Sequence, residues 1–166
     1  CRKAVYSSVD KSSDINFRIT KRLLPLQTLN IIPKIREVDT LLSTDQSARL
    51  QIREIHPEIC FWALSGRRPM QYSKKKQEGF FERKKILESV YTKTEALVNE
   101  ASTDYRRSEV ARDDIIDALA AAVTAKIGFN RFLTIPDKPP IDSKGLRMEM
   151  VYFPVSGPGA KAKLLL

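Results

Sequence analysis

The stretch Arg112–Ala122, Arg-Asp-Asp-Ile-Ile-Asp-Ala-Leu-Ala-Ala-Ala, constrains this chain more than any other. Ile116, Leu119, Ala120, Val123 and Ile127 recur at helical spacing and Gly128 ends the pattern, so the segment predicts a helix buried along one side. Its alanines allow a neighbour's backbone to come close. At the amino-terminal end stand Asp113, Asp114 and Asp117, and residues three and four apart share a helix face. Carboxylates in a first turn complement the helix dipole, and Asp113 could be an N-cap. Asp117 is harder to explain: it lies more than a turn inside, where aspartate is a poor helix former, beside like charges. A bound cation would remove that repulsion. Spacing alone leaves both readings open, capping with solvation and a metal site.

Charge narrows the partners. The formal net charge is +9, and residues 67–85 hold eight basic residues (Arg67, Arg68, Lys74, Lys75, Lys76, Arg83, Lys84, Lys85) against Glu78 and Glu82. Such a density is the electrostatic footprint of a surface for backbone phosphates, and Tyr72, Phe80 and Phe81 are interleaved for base stacking. The alternative is a solvated helix face with core aromatics. Two cysteines, Cys1 and Cys60, and one histidine, His56, give neither a disulfide framework nor a zinc set. Cys60 lies in an apolar run and reads as a buried thiol. No apolar run spans a membrane and no signal-peptide pattern opens the chain, so a cytoplasmic protein with no membrane partner is expected.

In order along the chain, residues 1–11 read as loop, and Ile15, Ile19 and Leu23 suggest a helix over 14–24 ended by Pro25. Residues 26–42 form a helix that kinks or restarts near Pro33, followed by a polar connection at 43–48. Arg49 to His56 alternates as a strand does, with Leu50, Ile52, Glu54 and His56 on one face, and Pro57 ends it. A short helix over 59–64 follows, closed by Gly66. This juxtaposes Glu54, His56 and Glu58, although Glu58 could only complement a helix dipole and His56 could be a satisfied core group. Residues 76–91 read as a long helix that Gly79 weakens, 94–99 as a further helix, 101–107 as a polar loop, and 148–153 as an edge strand. A single domain over 1–155 is expected, with 156–166 a tail of no clear assignment.

Several of these stretches are familiar together: Asn30-Ile31-Ile32-Pro33-Lys34-Ile35-Arg36-Glu37-Val38-Asp39, Arg53-Glu54-Ile55-His56-Pro57-Glu58, Phe61-Trp62-Ala63-Leu64, Arg68-Pro69-Met70, Ser73-Lys74-Lys75 and the acidic helix itself. Over roughly residues 25–153 they resemble the predicted ribonuclease-H-like nucleases grouped as domain of unknown function 429. The resemblance implies an α/β fold, a ribonuclease-H-like mixed sheet flanked by helices that holds acidic residues on divalent metal. The Asp-x-x-Asp-Ala-Leu-Ala pattern is also similar to the last helix of Holliday-junction resolvases of that superfamily. On that likeness Asp114, Asp117 and Glu54 are metal ligands, with Asp113 and Glu58 further candidates.

In such folds the first strand supplies an essential aspartate and the opening hairpin strands make half the sheet. No such strands are legible before Asp14, so the domain is expected to begin ahead of Cys1, leaving a helix-rich remainder.

The expected activity is metal-dependent phosphodiester hydrolysis of nucleic acid, DNA or RNA. Glu54, Asp114 and Asp117 would hold Mg²⁺ or Mn²⁺, His56 would assist proton transfer, and Arg67, Arg68, Lys74, Lys75 and Lys76 would grip phosphates. Two other classes remain open: a nucleic-acid-binding module without catalysis, and an interaction protein whose basic segment is only solvated.

Overall fold

Helices account for most of the chain in the computed structural model, which describes residues 2–155. The described residues divide into two compact units, one of residues 2–53 with 141–146 and the other of residues 54–140 with 147–155.

The first unit contains α1 (Arg2–Val5), α2 (Val9–Thr20), α3 (Leu26–Thr44) and α4 (Gln46–Gln51). Its small interior mixes Ala4 and Ile32 with the polar Ser12 and Asn16. Buried polar groups must find partners, and these do. The Ser12 hydroxyl donates to the Ala4 carbonyl at 2.9 Å, and the Asn16 amide donates to the Arg22 carbonyl at 2.8 Å. The Arg36 guanidinium donates to the carbonyls of Val5 and Ser7, each at 2.6 Å, and so ties the α1–α2 turn to α3. Arg2 pairs with both Asp39 of α3 and Asp142 of the returning segment.

Three expectations are corrected here. Residues 1–11 were expected to be loop, but the described part carries α1 and the start of α2, and the helix expected over 14–24 runs Val9–Thr20. It ends when Lys21 turns left-handed at φ 59°. The strand expected over 49–56 is helical in its first half. Asp45 caps α4 by accepting from the Ala48 N–H at 3.0 Å, which favours helix over the alternation. Residues 52–56 are outside helix and strand, and the Glu54 carbonyl accepts from the Val151 N–H at 2.8 Å. Helix α3 continues through Pro33.

The second unit contains α5 (Pro57–Leu64), α6 (Gln77–Val90), α7 (Thr94–Asp104), α8 (Arg112–Gly128), β1 (Leu133–Ile135) and β2 (Met150–Tyr152). Helix α8 packs on α5, α6 and α7, as its apolar stripe requires. The core gathers Cys60 and Phe61 of α5, Leu87 of α6, Val98 of α7 and Ile116, Ala120 and Val123 of α8. Phe61, Leu87 and Ile116 are at most 1% exposed. Each contributes about 1.5–3 kcal/mol of burial. Helix α7 runs to Asp104, so most of the loop expected over 101–107 is helical.

The expected mixed sheet is represented among the described residues by one antiparallel pair, β1 with β2, in the register Leu133↔Tyr152, Thr134↔Val151 and Ile135↔Met150. The edge strand expected over 148–153 is β2. The Ile135–Pro136 peptide is cis. The tail at 156–166 lies outside the described residues. No described helix is long and apolar enough to cross a membrane.

Candidate functional site

Helix α8 sets the site. Its N-cap is Ala111, at φ −74° and ψ 150°, so Asp113 is not the cap and stands with Asp114 in the first helical turn. Asp113 and Asp117 are half-buried while Asp114 is exposed. Between the first two sits the ammonium of Lys74. Its Nζ donates to the Asp117 carboxylate at 2.7 Å and lies 3.5 Å from that of Asp113. The hydrogen bond from Lys74 to Asp117 raises the Lys74 pKa, which burial alone would lower. This tethered cation offsets the like-charge repulsion that makes Asp117 costly on α8.

The loop carrying Lys74 is fastened to α6. Glu82 accepts from two consecutive backbone N–H groups, Gln71 at 2.9 Å and Tyr72 at 3.1 Å. Arg83, only 3% exposed, donates to the Tyr72 carbonyl at 3.0 Å, to the Gly79 carbonyl at 2.9 Å and to Glu58 at 2.7 Å, and its guanidinium stands 5.7 Å from the Phe61 ring centroid. Gly79 has no side chain where the loop crosses. A Cβ there would lie 2.6 Å from the Ser73 carbonyl carbon and closer still to its oxygen. The glycine that weakens the helix by sequence therefore lets the Lys74 loop pass against α6.

The remaining candidates separate. Glu54 and His56 are exposed at the start of the second unit, and His56 is the N-cap of α5 without a side-chain capping bond. Glu58 belongs to Arg83. Among the described residues no three His, Cys, Asp or Glu side chains group as a metal would require of a full protein ligand set. Of the basic residues, Arg67, Arg68, Lys75 and Lys76 are exposed. Arg83 is buried, and Lys84 pairs with Glu88 and Glu95. Tyr72 and Phe81 are exposed, whereas Phe80 is core, with the Arg112 guanidinium 4.5 Å from its ring centroid, so it is not a stacking surface for bases.

Residues 1–141 match the family model described as protein of unknown function (DUF429). The chain belongs to that family. No curated protein and no solved structure matches it.

In this DUF429 chain, sequence reasoning found the acidic helix and missed its partner. Lys74 stood in the basic run, and nothing in its spacing tied it to residues some forty positions on. The roles of Glu82 and Arg83 were equally hidden, since both read as an ordinary charged helix face. Cys60 is fully buried as expected, and burial pushes its thiol pKa up.

Proposed function

We propose that this chain acts in metal-dependent hydrolysis of nucleic-acid phosphodiesters. One observation carries the reading: Asp113 and Asp117 form a half-buried carboxylate pair around a cation, the Lys74 ammonium, next in sequence to the exposed Lys75 and Lys76. The donor chemistry fits a hard divalent ion. Mg²⁺ is commonly held by one or two carboxylates, retains several waters and takes substrate phosphates for the rest. Asp117 and Asp113 would hold Mg²⁺ or Mn²⁺, with the exposed Asp114 as a further oxygen donor. Glu54 and Glu58 join this set less readily, since Glu58 is committed to Arg83.

A bound ion of this kind activates a water and stabilises the leaving oxygen. The chain's own residues do the rest. Arg67, Arg68, Lys75 and Lys76 hold backbone phosphates. Lys74, once released by the carboxylates, is set by Glu82 and Arg83 to meet a phosphate. His56 is exposed and able to pass a proton at its imidazole nitrogens.

The test is cleavage of single- and double-stranded DNA and RNA with Mn²⁺, with EDTA as control. Asp117→Asn should abolish chelator-sensitive cleavage. Cleavage unchanged in Asp117→Asn, or absent with every substrate, would overturn the assignment.

A second reading is favoured by the 2.7 Å bond from Lys74 to Asp117. If that cation never leaves, the chain is a nucleic-acid-binding module without catalysis. Binding would then be salt-sensitive and indifferent both to EDTA and to Asp114→Asn.

A further inference from the structure

An apolar cleft of about 640 Å³ opens in the second unit, within the range of small-molecule sites (roughly 300–1,000 Å³). Ile59, Trp62, Pro69, Met70 and Met150 line it, and its polar groups are His56 and Glu58. None of the expectations above gives this cleft a role. We propose that it receives one unstacked nucleobase of a bound single strand, with Trp62 as the stacking face and Arg67 and Arg68 on the adjoining phosphates. The inference rests on the nucleic-acid reading above and names where that strand is gripped.

Three observations point to a base rather than another apolar group. The first is charge. Arg67 and Arg68 are exposed and directly precede Pro69 and Met70 of the lining, while the carboxylate in the wall, Glu58, is matched by Arg83 at 2.7 Å. The cleft therefore carries a cationic margin suited to a polyanion.

The second is the mounting of Arg67. Helix α5 ends in a turn in which the Gly66 N–H donates to Ala63 and the Arg67 N–H to Trp62 at 2.8 Å. Gly66 and Arg67 both adopt left-handed backbone, at φ 78° and 65°. That conformation is uncommon for arginine, and it holds the guanidinium 5.9 Å from the Trp62 ring centroid, within cation–π range.

The third is the indole itself. Trp62 is half-buried, meets Tyr152 in a T-shaped contact with ring centroids 5.6 Å apart that steadies the indole, and lines the cleft. A rigid aromatic face beside arginines is what sequence-tolerant single-strand binding uses. His56, whose side chain makes no capping bond, can meet the polar edge of a base.

Trp62 is the sole tryptophan, so its fluorescence reports this cleft alone. The full chain is titrated in EDTA with a short oligothymidylate and with an abasic strand of equal length, and binding is followed in parallel by anisotropy of an end label. Saturable quenching by the thymidylate strand and none by the abasic strand is expected. Trp62→Leu, with its fold checked by circular dichroism and binding followed by anisotropy, should weaken thymidylate binding by about five- to a hundredfold, the range for one lost base–aromatic stack, and leave abasic binding nearly unchanged. If both strands bind by anisotropy without differential quenching, the cleft proposal fails while the nucleic-acid reading stands. If neither strand binds at low salt, the cleft proposal fails, and the nucleic-acid reading fails with it only if double-stranded DNA and RNA are not bound either.

Discussion

Gly79→Ala separates two contributions that oppose each other. Gly79 is the third residue of α6, and in a helix alanine is favoured over glycine by about 0.5–1 kcal/mol. Helix propensity alone therefore predicts a more stable protein. The added Cβ, however, would lie 2.6 Å from the Ser73 carbonyl carbon and 3.0 Å from the Tyr72 oxygen. Both are backbone atoms of a loop that Glu82 and Arg83 fasten at Gln71 and Tyr72, so neither can yield as a side chain would. Overpacking of this kind costs about 1–3 kcal/mol, and the anchored loop places it in the upper half of that range. The net expectation is a loss of about 1–2 kcal/mol, or a fall in Tm of about 2–8 °C for a chain of this size. Urea and thermal denaturation followed by circular dichroism measure it. Relief of the clash must move the 72–74 loop, so the losses from Gly79→Ala and Glu82→Ala should be less than additive. Unchanged or raised stability in Gly79→Ala would refute the reasoning.

Lys74→Met removes the tethered cation from between Asp113 and Asp117, so Mn²⁺ should bind several-fold more tightly than to the wild type, as measured by titration calorimetry. Weaker binding would mean that Lys74 organises the pair rather than competing for it. Arg83→Met should cost about 2–3 kcal/mol in urea unfolding, because it strips the buried donors from the Tyr72 and Gly79 carbonyls. Glu58, 44% exposed, remains solvated. In the first unit, burial pushes the Asp39 carboxyl pKa up, but hydrogen bonds from Arg2 and Tyr6 outweigh it and hold the pKa below the usual carboxylate range. Asp142 behaves likewise under Arg2. A lowered carboxyl pKa contributes stability above the unfolded value of about 3.9 that is lost as pH falls through the folded values. Arg2→Ala should therefore be less stable than wild type at pH 7, with the difference beginning to shrink below about pH 4 and lost as pH falls through the lowered folded values. A difference that persists in acid would place the effect in packing.

How far the chain could be read depended on which interactions organise each part. Helices α5, α6 and α8 were legible because apolar periodicity and the punctuation of Pro57 and Gly66 coincide with burial, whereas α3 was legible from its length of apolar spacing after Pro25 although Ile31 and Val38 are about half exposed. Helix α2 was misplaced because its inward residues, Ser12 and Asn16, are polar, so a hydrophobic pattern cannot register them. Alternation at Leu50, Ile52 and Glu54 imitated a strand, while the decisive signal was Asp45 as a cap. At the site, Asp113 and Asp117 follow from helix geometry alone. Their pairing with Lys74 depends on the loop that Glu82, Arg83 and Gly79 hold in place, a tertiary contact with no local signature. The cleft around Trp62 was hidden for the same reason, since Met70 and Met150 meet only in the fold.

The return of residues 141–146 to the first unit bears on how this protein is made. Arg2 waits for Asp142, and Arg49 for the carbonyls of Lys144 and Gly145. A ribosome adding about 5–20 residues per second needs on the order of ten seconds to pass from residue 53 to that segment. For that interval the amino-terminal helices lack their closing strap. A nascent chain arrested before residue 141 should therefore be cut readily by protease within residues 2–53, and one extended well past residue 146 should resist.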